Sequence, residues 1–511
     1  MLRHTAFIFA LSSLAAGCAV GPDYQRPITE LPGAYRGSGV LGDAVSVDPS
    51  AATELGTWWT AFSDPDLGRY VTAALRQNLD LAQASARVLQ ARSGLDAAEA
   101  ALLPSGNIAA QTARSHQSTE MPLGQVLSSL PGYSRFGNLR EANLEASWEL
   151  DLFGGLRRAK EASSAEYAAS EATATAVRLA IAAQTADTYL QIRGLQTRLE
   201  VARKQVQTKQ QLRSTIGLRF EKGIASELQL HQAEGALSQA LATIAPLETA
   251  LDASLNAMDV MLATVPGTHR AELAVHRPVP DLPTFWLTDT PADLLRRRPD
   301  IIAAERRLAA SSARIGIAFA EYYPKLSISG LVGSATSLAS GKLFTGGASQ
   351  AGAMAGLRWR LFDFGRINAQ ISQAQAQEAE ALAAYRQAIL RATEDVENAL
   401  VAMDKRRELM SVLDMGAASL LRARQASGAA YEQGVVSLIE VLQADESLLR
   451  VLDAQAQNRT DAARSAVAVF KALGGGWTLD AANSSPVAVM GNPPQPTKQV
   501  VYTDAPSDPK R

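Results

Sequence analysis

The chain states its fold twice. Trp148-Glu149-Leu150-Asp151-Leu152-Phe153-Gly154 recurs 211 residues later as Trp359-Arg360-Leu361-Phe362-Asp363-Phe364-Gly365, and Phe220-Glu221-Lys222-Gly223 recurs at the same offset as Tyr431-Glu432-Gln433-Gly434. Earlier in each copy the offset is 220, with Asp80-Leu81-Ala82-Gln83 leading to Pro104 and Asp300-Ile301-Ile302-Ala303 leading to Pro324. One loop therefore differs by nine residues. Self-similarity of this length is a tandem duplication, which restricts the chain to two copies of one structural unit. The unit reads as helix, strand, loop, strand, very long helix, tight turn and return helix.

The strands are the part with consequences. Between Pro104 and Gly154 the period of the apolar residues changes from helical to two. Leu144, Ala146, Trp148, Leu150 and Leu152 alternate with Glu145, Ser147, Glu149 and Asp151. In the second copy Ala355, Leu357, Trp359 and Leu361 alternate with Gly356, Arg358, Arg360 and Phe362. The pattern predicts strands over about 104–116, 139–153, 324–337 and 351–364, each with one apolar and one polar face. A half-buried strand of a soluble sandwich would alternate in the same way. Three details favour a membrane barrel. The polar face concentrates like charges (Glu145, Glu149 and Asp151; Arg358 and Arg360), as a wet lumen tolerates. Trp148 and Trp359 sit on the apolar face of both copies, where lipid would meet them. The strands also exceed the roughly 9–11 residues that cross a bilayer at a tilt. Four strands cannot close a barrel, and an open sheet edge is not tolerated in lipid, so a membrane-spanning form must oligomerise.

Each strand pair runs into a helix with few breakers, about 156–221 and 366–432. Straight, such a helix extends roughly 100 Å, far beyond the usual three or four turns. Return helices follow over about 226–262 and 437–473, and Pro246 should bend or break the first. Helices of this length need neighbours along their whole course, which implies a helical barrel or bundle. The first repeat thus covers 61–263 and the second 300–475, joined by a Pro-rich connector, 264–299. The tail, 476–511, is polar and Pro-rich and expected to be disordered. The fold class is mixed, mostly α, with a membrane β-barrel.

Composition narrows function by exclusion. The formal net charge of −2 offers no basic footprint for nucleic acid. There is no HExxH, GxSxG, Walker or dinucleotide motif, and the five histidines are scattered. No catalytic, cofactor-binding or metal site is expected, and the chain does not read as an enzyme. The single cysteine excludes a disulfide framework. It falls where a leader ends: residues 1–17 carry a short charged start and an apolar run too short to span a bilayer. Leu14-Ala15-Ala16-Gly17-Cys18 resembles a lipoprotein box, with Cys18 as the lipid attachment residue, and Ala19 rather than aspartate after it favours the outer membrane. Residues 18–60 then read as a lipid-anchored, extended lead-in.

These residues resemble the outer-membrane efflux proteins of the TolC/OprM type, in their lipoprotein (NodT-like) branch. Three stretches carry the resemblance: Cys18 through Pro27, Asp293 through Ile301 between the repeats, and Tyr431-Glu432-Gln433-Gly434 followed by Leu438 through Asp445. The resemblance implies a homotrimer with one twelve-stranded barrel in outer-membrane lipid and a hollow α-helical barrel in the periplasm. A periplasmic adaptor (membrane fusion) protein and an inner-membrane RND-type pump would feed it, and the chain would be a passive conduit. It further implies that the turns at Gly223 and Gly434 are periplasmic tips met by the adaptor, and that Ile439, Glu440 and Gln443 narrow a closed pore. Tyr431 would hold the tip shut or simply pack between helices. Glu440 matches an acidic position of the family, whereas Gln443 stands where relatives often carry aspartate. Two other readings stay open at this point: an outer-membrane component of type I protein secretion, and a lipid-anchored coiled-coil scaffold without a pore.

Overall fold

The computed structural model describes residues 19–28, 33–35, 55–283, 297–338 and 340–475. The expected leader, Cys18, most of the lead-in, part of the connector and the tail lie outside the described residues.

A 3-10 helix, Leu55–Phe62, opens the body. Helix α1 (Pro65–Gln77) begins where the Asp64 carboxylate accepts the N–H groups of Asp66 and Leu67. The sequence pattern predicts one helix from Asp66 to Leu103, but the structure has two. Asn78 adopts extended backbone, and its side chain accepts the N–H groups of Asp80 and Leu81 to start α2 (Leu79–Ala100). Strand β1 (Ser105–His116) follows Pro104, a short helix α3 (Pro122–Ser128) lies in the loop, and β2 (Phe136–Leu150) returns.

Gly154, at φ 82°, turns the chain from β2 into α4 (Gly155–Glu221), a helix of 67 residues. Its return is split into α5 (Glu227–Ala242) and α6 (Ile244–Met261). The split is the expected effect of Pro246, whose ring denies a hydrogen bond to the carbonyl of Ala242 four residues back. A single turn, α7 (Arg270–Leu273), precedes the second repeat. That repeat runs α8 (Pro299–Ala320), β3 (Lys325–Thr336), β4 (Ser349–Arg358), α9 (Arg366–Glu432, again 67 residues) and α10 (Leu438–Ala472). Here α10 is unbroken, since it contains no proline.

The four strands form one antiparallel sheet in the order β1-β2-β3-β4. The middle pair joins the repeats, with Leu144 of β2 opposite Val332 of β3 and Trp148 opposite Ile328. The main apolar core lies elsewhere, halfway along the long helices. There Trp58 stacks on Phe470 with centroids 5.3 Å apart, and the buried Tyr189, Leu190, Met258, Leu400 and Val467 join the same cluster. Charged pairs such as Arg464 with Asp187 (2.7 and 3.0 Å) pin α10 to α4 outside that core.

Residues 19–24 are strapped along the upper helices. Val20 N–H donates to the Phe153 carbonyl (3.2 Å), and buried Arg158 reaches the carbonyl of Val20 and the carboxylate of Asp23 (2.7 Å). Gly21, at φ 92°, lies so close to α8 that an added Cβ would sit 2.5 Å from the Gly316 Cα. Farther down, the Tyr24 hydroxyl donates to Glu305 (2.7 Å).

Candidate functional site

The site residues expected from the sequence fall in two regions, the sheet and the hairpin turns, separated by the length of α4 and α9. In the sheet, register sorts the side chains. Ile108, Leu144, Val332 and Ala351 share one row of one face; Trp148, Ile328 and Ala355 share another. Nothing among the described residues covers this face: Ile108 is 80 % exposed and Val332 64 %. A soluble sheet of such composition would bury it. The opposite face is polar and internally bonded. Asn107 donates to Glu145 (3.4 Å), Gln350 to Asn143 (2.7 Å), and Gln111 to Glu141. Glu149 points to this side as well, and Arg358 sits on it opposite Lys325 at the end of β4.

Both predicted tryptophans occupy equivalent places. The Trp148 indole N–H donates to the Leu102 carbonyl and that of Trp359 to the Tyr322 carbonyl, each at 2.9 Å. Each ring thus keeps its polar atom satisfied at the helix end of the sheet while its body stays partly exposed.

Strands β2 and β4 end earlier than the sequence predicts, at Leu150 and Arg358, and two lumen assignments change with them. Asp151 lies beyond β2, which stops at Leu150. Its carboxylate accepts the N–H groups of Leu156 (3.1 Å) and Arg157 (2.8 Å), so it caps α4 instead of lining a barrel. Asp363 does the same for α9, accepting from Gly365 and Ile367, which holds its carboxyl below the usual carboxylate range. A carboxylate on the first turn satisfies otherwise unpaired N–H groups and complements the helix dipole. Arg360 likewise falls past the end of β4 and pairs with Glu321 (2.8 Å), at the junction of sheet and helices. Trp359 also follows the last residue of β4.

At the tip, Gly223 (φ 72°) and Gly434 (φ 76°) reverse the chain. The Ile224 N–H returns to the Arg219 carbonyl (2.8 Å) and that of Val435 to the Ala430 carbonyl (2.9 Å), closing both helix ends alike. Open space surrounds both glycines, so the positive φ, and not crowding, selects the residue.

The helices leaving the turns share a start as well. Ser226 and Gln229 form a reciprocal capping box on α5. At the matching positions on α10, the Ser437 hydroxyl donates to the Glu440 carboxylate, which also accepts backbone N–H groups of this turn. These bonds, led by that from Ser437, hold the Glu440 carboxyl below its ordinary value. Glu440 therefore has a local structural role, signalled in the sequence by Ser-x-x-Glu. Ile439, Glu440 and Gln443 are exposed together, whereas Leu438, Val441 and Asp445 of the same helix are buried. Tyr431 is turned the other way. It packs with Ile216, Ala233 and Leu438, under the Arg219 guanidinium at 5.4 Å from the ring centroid.

Sequence reasoning missed one pair of ion pairs. Arg213 contacts Glu234 across the first hairpin at 2.9 Å, and 211 residues later Arg424 contacts Asp445 across the second at 3.0 Å. In the second copy Lys209 of α4 adds a further contact to Asp445 (3.0 Å), and both of those side chains are buried. The repeat offset maps one pair onto the other, which is the signal that could have revealed them.

Among the described residues no helix is long and apolar enough to cross a membrane, and no cluster of metal-ligating side chains occurs. The family model described as outer membrane efflux protein matches residues 71–264 and 290–475, one segment per repeat. The chain is 34% identical to a pyoverdine export outer membrane protein, OpmQ, of Pseudomonas putida, covering 83% of this chain and 88% of that one. It is 31% identical to outer membrane protein OprJ of Pseudomonas aeruginosa, covering 93% and 95%. Its fold superposes on the outer-membrane channel OprN with a TM-score of 0.79 at 30% identity, over 90% of this chain and 100% of that one. The Campylobacter jejuni CmeC outer membrane channel, at 23% identity and a TM-score of 0.80 over 90% and 95%, has the same fold. With both repeats matched and relatives aligned over nearly the whole chain, the protein belongs to the outer membrane efflux protein family.

Proposed function

We propose that three copies of this chain close into one conduit that passes small molecules out across the outer membrane, without catalysis or cofactor. The observation that carries the reading is the open sheet. Among the described residues its outer strands, β1 and β4, are each paired on one side only, and nothing covers its apolar face. In lipid every backbone polar group must be paired, so β4 of one copy must meet β1 of the next. Three copies of four strands give twelve, within the range of membrane barrels. The acidic face then lines the lumen through Glu145 and Glu149, and the 67-residue helices extend the tube into the periplasm.

The strap formed by residues 19–24 supports an anchor at Cys18. Ala19 lies against Gly154, directly below the sheet, so a lipid on the preceding residue would start at the level of the tryptophans. At the far end, the exposed trio Ile439, Glu440 and Gln443 would face the axis, where three copies of Glu440 favour cations. The turns at Gly223 and Gly434 would offer the surface for a periplasmic adaptor coupled to an inner-membrane RND-type pump. The relative named for pyoverdine export favours small-molecule cargo over secreted protein.

The test is single-channel conductance of the purified chain in a planar bilayer, with its mass in detergent measured on the same sample. A trimer with a small, cation-selective conductance is expected. A monomer without conductance would remove the barrel and leave an anchored scaffold.

A further inference from the structure

The charges of the sheet are segregated by face and by height. Glu141, Glu145 and Glu149 all lie on the polar face, while Arg114 and Arg140 lie on the other, in register with the apolar rows. Arg140 is opposite Thr112 and Thr336; Arg114 is opposite Asn138, two residues from Arg140 along β2. The two cations are therefore diagonal neighbours on one face, a spacing that long side chains span. Both are exposed.

Their height is set by the strand. Arg140 stands eight residues above Trp148 on β2. At about 3.3 Å per residue and a tilt near 40°, that is roughly 20 Å, close to the apolar band of a membrane barrel. Trp148 marks the periplasmic edge of that band, so the arginines mark its outer edge.

No carboxylate answers them. Among the described residues neither Arg114, Arg140 nor Lys342 is in an ion pair with a carboxylate; Arg140 donates to the carbonyl of Gly341 (3.3 Å), the residue before Lys342. Residues 322–362 contain no Asp or Glu, so the β4 edge that a neighbouring copy would bring beside β1 supplies none. The acidic residue of the β1–β2 loop, Glu120, lies outside the strands. Like charges placed this close, at the border of an apolar surface, are complementary to an anion that carries its own apolar tail. Arg114 also lies over the Phe136 ring (5.8 Å), which fixes its guanidinium at the rim.

We infer that Arg114, Arg140 and Lys342 form a binding rim for a phosphorylated lipid headgroup of the outer leaflet, the acyl chains lying on the apolar rows below. Arginine forks suit phosphate oxygens, and each cation held at a charged lipid surface adds to the binding. This inference rests on the barrel reading above.

The experiment uses the full chain, purified and delipidated in detergent, with bound lipid counted by native mass spectrometry. The probes are bis-phosphorylated lipid A, the same lipid after removal of its phosphates, phosphatidylcholine, and inorganic phosphate as competitor. The wild-type chain should retain the phosphorylated lipid in preference to both others. An Arg114→Gln/Arg140→Gln double variant should lose that preference by about thirtyfold, with phosphatidylcholine retention and the heat-resistant oligomer unchanged. Equal retention of phosphorylated and dephosphorylated lipid by the wild type, which requires no variant to fold, would overturn the rim while leaving the barrel standing. Displacement by millimolar inorganic phosphate would show an anion site and not a lipid site, and would also overturn it. Failure of the wild type to insert into vesicles at all would overturn both readings together.

Discussion

The two hairpin tips are copies of one design whose shared positions now sit in different surroundings. Both reverse at a glycine with positive φ, both begin the return helix at a serine, and both tie the hairpin with an arginine-to-carboxylate pair at equivalent positions. The first tip keeps its pair at the surface, where the Glu234 side chain is 38% exposed and shares its charge with Arg213 and His231. The second buries the carboxylate: Asp445 is 5% exposed and holds the equally buried Lys209 of the neighbouring helix as well as the half-exposed Arg424. The first return helix is interrupted ahead of Pro246, while the second runs unbroken for 35 residues. Duplication supplied the geometry, and the difference lies in what the shared positions now hold. The first tip is tied locally; the second is tied to α4 through a buried charge and carries the exposed Glu440.

The largest expected effect follows from that burial. Asp445→Ala strands two cations, one of them buried, and breaking a buried pair from one side costs about 3–5 kcal/mol. Hydrogen exchange of tip amides in the assembled protein should accelerate by on the order of a hundredfold or more, and the closed-state conductance should rise. Glu234→Ala at the matching position should change neither by a measurable amount, because exposed pairs contribute little. Equal effects at the two positions would break the comparison.

The same contrast shows what was legible in the sequence. Repeats, strand alternation, the long helices and the two tip glycines are local patterns, and the structure contains each of them. The ends of strands were harder to read. Asp151 continues the alternation of β2 faultlessly, yet the chain has already left the sheet, because capping the first turn of α4 is a better use of a carboxylate there than a ladder position. The paired ion pairs were invisible for a different reason. Arg213 and Glu234 are separated by a turn and only the hairpin brings them together, and Lys209 reaches Asp445 from 236 residues away. The arginine rim on the sheet needed the register between β1 and β2, which alternation alone does not supply. Cys18 remains a reading of the sequence, outside the described residues.

A smaller effect tests the part that the tips share. Gly223→Ala and Gly434→Ala each force a side chain into a left-handed conformation, at about 1–2 kcal/mol, with no added clash because both sites are open. The two variants should destabilise their own hairpins equally in hydrogen exchange. A much larger effect at Gly434 would mean that the second turn is held by contacts with other copies, which the first turn lacks.

The smallest effect in stability carries the most about function. Glu440 and Gln229 occupy the same capping position, and only the former is charged. Exchanging them, Glu440→Gln with Gln229→Glu, should keep both caps and leave the fold unchanged. If the second tip lines the pore, cation selectivity should fall with Glu440→Gln and should not be recovered by Gln229→Glu. Recovery would place both tips on the axis and erase their difference. Acid provides the same test without mutation. The folded carboxyl of Glu440 lies below its ordinary 4.5, so the bonds to its charged form contribute stability above that value. That contribution disappears as pH falls through the lower folded value, as the proton removes the acceptor of the Ser437 hydroxyl. Wild-type selectivity should therefore persist through pH 5 and decline only below the usual glutamate range, whereas the Glu440→Gln channel should show no such decline. A wild-type profile as flat as that of the variant would place Glu440 off the conduction path and leave it a helix cap.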